Sequence, residues 1–213
     1  MSPQFDSIAL VSIDMQRDLL DGQEQEVVGT AAAARVIAEL RDAFRSVGAP
    51  IVHIVRLYRE DGSNADACRR GPIAEGLKLV IAGTSGAEIT EGLVPQGAVL
   101  DTELLLAGKV QELGPDEVAI YKPRWGAFYN TPLEKHLRWL GVSSLAFCGC
   151  NFPNCPRTSI YEASERDFRV VVAENAVSGL YDRGRDELRA IGVALMTGRE
   201  IAASLRRPVG EMA

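Results

Sequence analysis

SLAFCGCNFPNCPRTSIYEASERDF, residues 144–168, is the stretch on which the reading of this chain turns. It opens with a short apolar run from Leu145 to Cys150, of the length and composition of a buried strand. Asn151-Phe152-Pro153-Asn154 then makes a turn, and helical spacing begins at Cys155-Pro156. Proline suits the first helical position, where its missing N–H would have no partner anyway. Cys155 therefore stands at or beside a helix N-cap, at the positive end of the helix dipole, a place that favours thiolates. A cysteine at such a strand-turn-helix corner is either a nucleophile or a small apolar filler, and this stretch alone leaves both open.

Working outward, the same alternation of short apolar runs and helical segments recurs. Residues 8–13 (IALVSI) read as a buried strand ending at Asp14. Thr30 opens an alanine-rich amphipathic helix that stops at Gly48. Residues 50–57 (PIVHIVRL) form a second, β-branched strand, and strand-helix-strand implies parallel pairing. Residues 116–121 give a third strand with Lys122 at its end. Thr131-Pro132-Leu133-Glu134 has the pattern of a capping box, opening a helix that runs to Gly141. Beyond the central stretch, residues 169–174 (RVVVAE) and 193–196 read as strands, and 182–191 and 198–205 as helices. After Pro208 a disordered tail is expected. The pattern predicts one α/β domain over residues 1–213: a doubly wound, six-stranded, mostly parallel sheet with helices on both faces. Residues 58–114 are glycine-rich, charged and weakly periodic, and read as an insertion serving as a lid or an oligomer arm.

Composition narrows the function. With 213 residues, 46% hydrophobic and 24% charged, the chain can bury a substantial core. A net charge of −6 argues against nucleic acid or an anionic membrane as partner, and no apolar run approaches a membrane span. Four cysteines in a chain this long do not make a disulfide framework, and the first residues carry no secretory pattern. A cytoplasmic location is the expectation.

Asp14, Lys122 and Cys155 each follow a predicted strand, and ligands of open parallel sheets bind at the carboxyl ends of the strands. This constellation resembles the isochorismatase-like cysteine hydrolases, which include nicotinamidases, N-carbamoylsarcosine amidases and ureidoacrylate hydrolases. Residues 9–16 (ALVSIDMQ) are similar to the family's first strand with its aspartate. Residues 122–128 (KPRWGAF) are similar to its lysine motif, with Thr131 and Leu133 following. Gly149 to Cys155, then Thr158 and Ala163, resemble its nucleophile segment, and residues 167–179 the next strand and loop. The resemblance fails at residues 59–115. It also departs from the family's Gly-Val-x-Thr-x-x-Cys-Val pattern, which here reads Gly-Cys-Asn-Phe-Pro-Asn-Cys-Pro.

The resemblance implies a cysteine amidohydrolase that opens a C–N bond through a thioester, with a catalytic triad of Asp14, Lys122 and Cys155. Asp14 is the implied base, Lys122 the cation beside it, and the backbone N–H groups of Asn151 and Cys155 the oxyanion hole. It further implies a cis peptide at Cys150–Asn151 and a homo-oligomer, dimer or tetramer. The zinc of nicotinamidases needs an Asp-x-His pair after the second strand, and here that region reads Val-His-Ile-Val-Arg. His53 reads as a core histidine, and no metal or other cofactor is expected. Arg56 is a candidate for a substrate carboxylate, and Trp125, Phe128 and Tyr129 for the walls of a small-molecule pocket. Arg56 reads equally as half of an ion pair, and the aromatic residues as ordinary packing. A silent small-molecule-binding protein on the same fold is the alternative, motivated by the unusual Asn-Phe-Pro-Asn-Cys-Pro loop.

Overall fold

Residues 2–205 are described by a computed structural model. Ile8–Ile13 (β1) is buried along its whole length, as a strand covered on both faces must be. Thr30–Ser46 (α1) presents Ile37, Leu40 and Phe44 as its buried stripe. The Asp21 carboxylate closes its first turn by accepting from the Gly29 and Ala31 N–H groups at 2.7 and 2.6 Å. Ile51–Val55 (β2) follows, then Ala67–Ala74 (α2), Thr102–Leu106 (α3) and Val110–Gly114 (β3). Glu117–Tyr121 (β4), Leu133–Trp139 (α4), Ser144–Gly149 (β5), Cys155–Ser164 (α5), Arg169–Val177 (β6), Asp182–Ala190 (α6), Ala194–Met196 (β7) and Gly198–Leu205 (α7) come next in order.

The strands form one seven-stranded sheet in the order β3-β4-β2-β1-β5-β6-β7. All neighbours are parallel except β3, which runs antiparallel to β4 at the edge. The doubly wound α/β architecture is thus present, with seven strands where the sequence predicts six. Alternation along the strands feeds two cores. Leu10, Val55, Ala146 and Cys148 point to the side of α1 and α7. Val11, Ile54, Leu145 and Phe147 point to the side of α4, α5 and α6. From β1 the chain winds one way to β2 and β4 and the other way to β5 and β6, so strand order switches between β1 and β5. A crevice opens beyond the carboxyl ends of strands at such a switch point.

Three sequence expectations need correction. The extra strand, β3, lies inside the weakly periodic segment, so the end of that segment belongs to the sheet. The capping box is not closed. Pro132 takes the cap position and the Thr131 hydroxyl accepts from Leu133 N–H at 3.3 Å, while Glu134 pairs with Arg166 at 3.1 Å. No peptide bond of the described residues is cis, Cys150–Asn151 included. The chain turns instead at Gly149, whose φ of 121° side chains rarely adopt. The tail expected after Pro208 lies outside the described residues.

Candidate active site

The site is assembled by the ends of three parallel strands. Asp14 follows β1, with its N–H bonded to the Ile54 carbonyl of β2 at 2.9 Å. Lys122 follows β4, with its N–H on the Val55 carbonyl at 3.0 Å. The Cys150 N–H returns to the Ile13 carbonyl at 2.9 Å, and the turn after it delivers Cys155 as the first residue of α5. Asp14 adopts φ 51°, in the left-handed region that aspartate tolerates better than most residues. Backbone hydrogen bonds to neighbouring strands therefore fix Asp14, Lys122 and the start of the turn that leads to Cys155 before any side chain acts.

The Lys122 side chain has no solvent exposure, and Asp14 has 4%. Lys122 Nζ makes an ion pair with Asp14 Oδ2 at 2.9 Å and donates to Cys155 Sγ and the Arg124 carbonyl at 3.3 Å each. Its three protons are thereby matched by three acceptors. Burial is the largest single influence and favours a neutral amine, but Asp14 and Cys155 together outweigh it, so the Lys122 pKa lies above the usual value. Asp14 Oδ1 is buried and has no hydrogen-bond partner among the described residues, which leaves a lone pair open on this carboxylate. Burial and the adjacent Asp14 charge push the Cys155 thiol up to about 12, against the pull of Lys122. The expected thiolate at the helix N-terminus is thus opposed first by burial and then by Asp14.

The backbone N–H groups of Asn151 and Cys155 have no backbone acceptor among the described residues. Both residues line a pocket of about 90 Å³ together with Asp14, Lys122, Cys150 and Asn154. Two donors without internal partners beside a nucleophile can hold a developing oxyanion.

The remaining candidates divide. Trp125 lines the pocket. Phe128 does not: it is buried against Phe168, 5.8 Å between ring centres, with the Arg166 guanidinium over its ring at 5.1 Å. Tyr129 is half exposed and lies outside the pocket lining. The loop after Lys122 passes through Gly126, and two residues on Phe128 donates its N–H to Glu162 of α5 at 2.9 Å, which ties this part of the loop to α5. Arg56 borders the pocket, with three of the five N–H donors of its guanidinium engaged. It donates to the Tyr58 hydroxyl and the Lys122 carbonyl at 3.1 Å each and forms an ion pair with Asp66. The pair with Asp66 is the ion-pair alternative that the sequence left open for Arg56 beside a substrate carboxylate.

Sequence reasoning missed the wall opposite the triad. Tyr58, Asp66, Arg69, Leu79 and Val80 all come from the weakly periodic segment and all line the pocket. It also missed Gln16, fully buried, whose amide donates to the Arg56 and Ala87 carbonyls at 2.7 Å and accepts from the Arg56 N–H at 2.8 Å. Gln16 thereby pins that segment to β1 and β2.

The zinc site of the nicotinamidases does not fit these residues. His53 is buried, and its Nδ1 and Nε2 are bonded to Ser12 and Glu117 at 2.7 and 2.9 Å. His136 lies on α4, its ring 6.3 Å from that of Trp139. Neither lines the pocket.

Comparison with known proteins bears on the family and the fold. A family model described as the isochorismatase domain matches residues 8–197. A probable inactive nicotinamidase of Arabidopsis thaliana is 27% identical over 212 residues, covering 96% of this chain and 100% of the relative. A ureidoacrylate amidohydrolase of Azorhizobium caulinodans is 24% identical over 196 residues, covering 83% of this chain and 78% of the relative. The crystal structure of an isochorismatase family protein from Desulfovibrio vulgaris superposes with a TM-score of 0.79 at 32% identity, covering 94% of this chain and 99% of that one. No helix of the described residues is long and apolar enough to cross a membrane. By its fold, its sequence and the order of its strand-end residues, the chain belongs to the isochorismatase family.

Proposed function

We propose that this protein is a metal-independent cysteine amidohydrolase acting on a small carboxamide, ureido or carbamoyl compound. The observation that carries the reading is the continuous contact from Asp14 through Lys122 to Cys155, at 2.9 and 3.3 Å. With the thiol neutral at rest, Asp14 takes its proton as sulfur attacks the carbonyl carbon. The C–S bond forms, and the carbonyl π electrons move to an oxyanion held by the Asn151 and Cys155 N–H groups. When the tetrahedral adduct collapses, the C–N bond breaks and the leaving nitrogen takes the proton from Asp14. Asp14 then deprotonates a water that attacks the thioester, or the thiocarbamate where the substrate is a ureido or carbamoyl compound. The C–S bond breaks, and the proton on Asp14 returns to sulfur. Lys122 keeps its charge throughout and offsets Asp14 and the developing thiolate.

The test is hydrolysis of a panel of amides and ureido acids, read as released ammonia or amine. Cys155→Ala and Asp14→Asn are each expected to abolish turnover while keeping the wild-type circular dichroism spectrum. Full activity in Cys155→Ala would sink the proposal. A silent binding protein is the second reading. It draws on the name of the Arabidopsis relative and on a pocket volume well below the ~300 Å³ common for ligand sites. It gains the ground if panel members raise the melting temperature and none is hydrolysed. A homo-oligomer, dimer or tetramer, belongs to the same proposal, supported by the exposed Trp139 and Tyr129 and testable by light scattering. So does a cytoplasmic location, which four unpaired cysteines support.

A further inference from the structure

Five charged side chains line the pocket: Asp14, Arg56, Asp66, Arg69 and Lys122. Four of them form two internal pairs, Lys122 with Asp14 and Arg56 with Asp66. Arg69 has no ion pair among the described residues. It stands in the first turn of α2, and its N–H is bonded to the Asp66 carbonyl at 2.9 Å. Its charge reaches the pocket interior: burial raises the Tyr58 phenol, and Arg56 and Arg69 both pull it back. With three cations against two carboxylates, the pocket carries one net positive charge while the thiol is neutral. The whole chain carries −6, so the distant field repels anions and any preference for them has to be local. Leu19, Val27, Leu79, Val80 and Trp125 complete the wall and offer no charge.

We propose that Arg69 is a specificity-determining residue that receives a carboxylate of the substrate at the pocket mouth. The site thereby selects short carboxylic acids that bear an amide, carbamoyl or ureido group over neutral carboxamides. The nature of the reacting group rests on the amidohydrolase reading, whereas the preference for charge does not. The small volume supports the shortness: about 90 Å³ is well below the ~300 Å³ common for ligand sites. Arg69 is exposed, so its hold on a carboxylate is graded and sensitive to salt, as a guanidinium in high dielectric must be.

Two alkylating reagents with the same leaving group test this without a known substrate. Iodoacetate is an anion and iodoacetamide is neutral; each forms a C–S bond to Cys155 and releases iodide. The rates are read at Cys155 by peptide mass spectrometry, at low salt and one alkaline pH, in wild type, Arg69→Gln, Arg69→Lys and Arg70→Gln. The iodoacetamide rate is the internal reference for the state of the thiol. The iodoacetate-to-iodoacetamide ratio is expected to fall about fivefold in Arg69→Gln and to be largely kept in Arg69→Lys. Added salt should compress the wild-type ratio toward that of Arg69→Gln. Arg70 turns to the Ala65 carbonyl at 3.2 Å and is not part of the wall, so Arg70→Gln should keep the wild-type ratio. An unchanged ratio in Arg69→Gln, or an equal fall in Arg70→Gln, would overturn the proposal. So would a Cys155 that reacts with neither reagent, since a pocket closed to such small molecules admits no acid. Failure of the amidohydrolase reading shows separately, as absent hydrolysis with the ratio intact.

Discussion

At the scale of single residues, the site is a balance of charges in a dry place. Cys155 stands at a helix N-terminus, yet burial and Asp14 keep its thiol protonated with a pKa of about 12. Its reaction with iodoacetamide is therefore expected to climb about tenfold per pH unit from 7 to 10, following the rising thiolate fraction. A plateau below pH 8 would mean a preformed thiolate and a different division of labour with Asp14. Lys122 supplies the compensating charge, and its loss has a cost in stability as well as in reactivity. Lys122→Met leaves the Asp14 carboxylate buried without its partner, and about 3–5 kcal/mol of stability should be lost. The double variant Lys122→Met/Asp14→Asn leaves no charge behind and should regain part of it. Urea unfolding at neutral pH reads both; equal losses in the single and double variants would show that the pair's charge is not what stabilises this site.

At the scale of elements, the decisive feature is how closely β5 approaches β1. Gly149 ends β5 opposite Ile13, and a Cβ there would sit 2.6 Å from the Ile13 backbone nitrogen. The residue is also at φ 121°. Gly149→Ala has to move one strand off the other, and a loss of at least about 3 kcal/mol is expected, read from the urea midpoint. A loss under 1 kcal/mol would show that the β1–β5 junction is soft. The Ile13-Asp14 and Gly149 motifs were legible in the sequence because buried parallel strands are dense in apolar residues, so a polar or glycine residue at a carboxyl end stands out. β3 was not legible: Val110–Gly114 is a short, half-buried edge strand with polar Gln111 and Glu112, so it lacks the apolar density of its neighbours. The wall from Tyr58 to Val80 escaped for a related reason. It is held by side chains reaching distant backbone, such as Gln16 to Ala87 and Asp18 to the Val80 N–H at 2.7 Å, and such bonds leave no periodic trace. Phe128 and Tyr129 misled in the opposite way, since nearness to Lys122 in sequence ended at a single tight loop.

At the scale of the whole molecule, stability and chemistry occupy opposite ends of the sheet. The carboxyl ends hold the triad, while Glu117 opens β4 at the other end. Glu117 is 1% exposed and joins α1 to two strands: Arg45 pairs with it at 2.6 Å and His53 of β2 at 2.9 Å. Burial works against the Glu117 carboxylate, but His53 and Arg45 together hold its pKa below the ordinary value of 4.5. A carboxylate depressed in the folded state contributes stability that is fully present above its unfolded pKa and is lost as pH falls through the folded one. Acid should therefore weaken the protein below about pH 4.5, in part through this residue. Glu117→Gln removes that titration. It is expected to lower stability by about 1–3 kcal/mol at pH 7, because charge-assisted hydrogen bonds are lost. It is also expected to flatten the dependence of stability on pH between about 5 and 3. Chemical unfolding across that range checks both. Because the Cys155 environment lies beyond the far ends of the strands, the thiol's alkylation profile in Glu117→Gln should overlay that of the wild type at 25 °C. A shifted profile would mean that the two ends are coupled through β4, from Glu117 to Lys122, and that the sheet carries electrostatic strain from one end to the other.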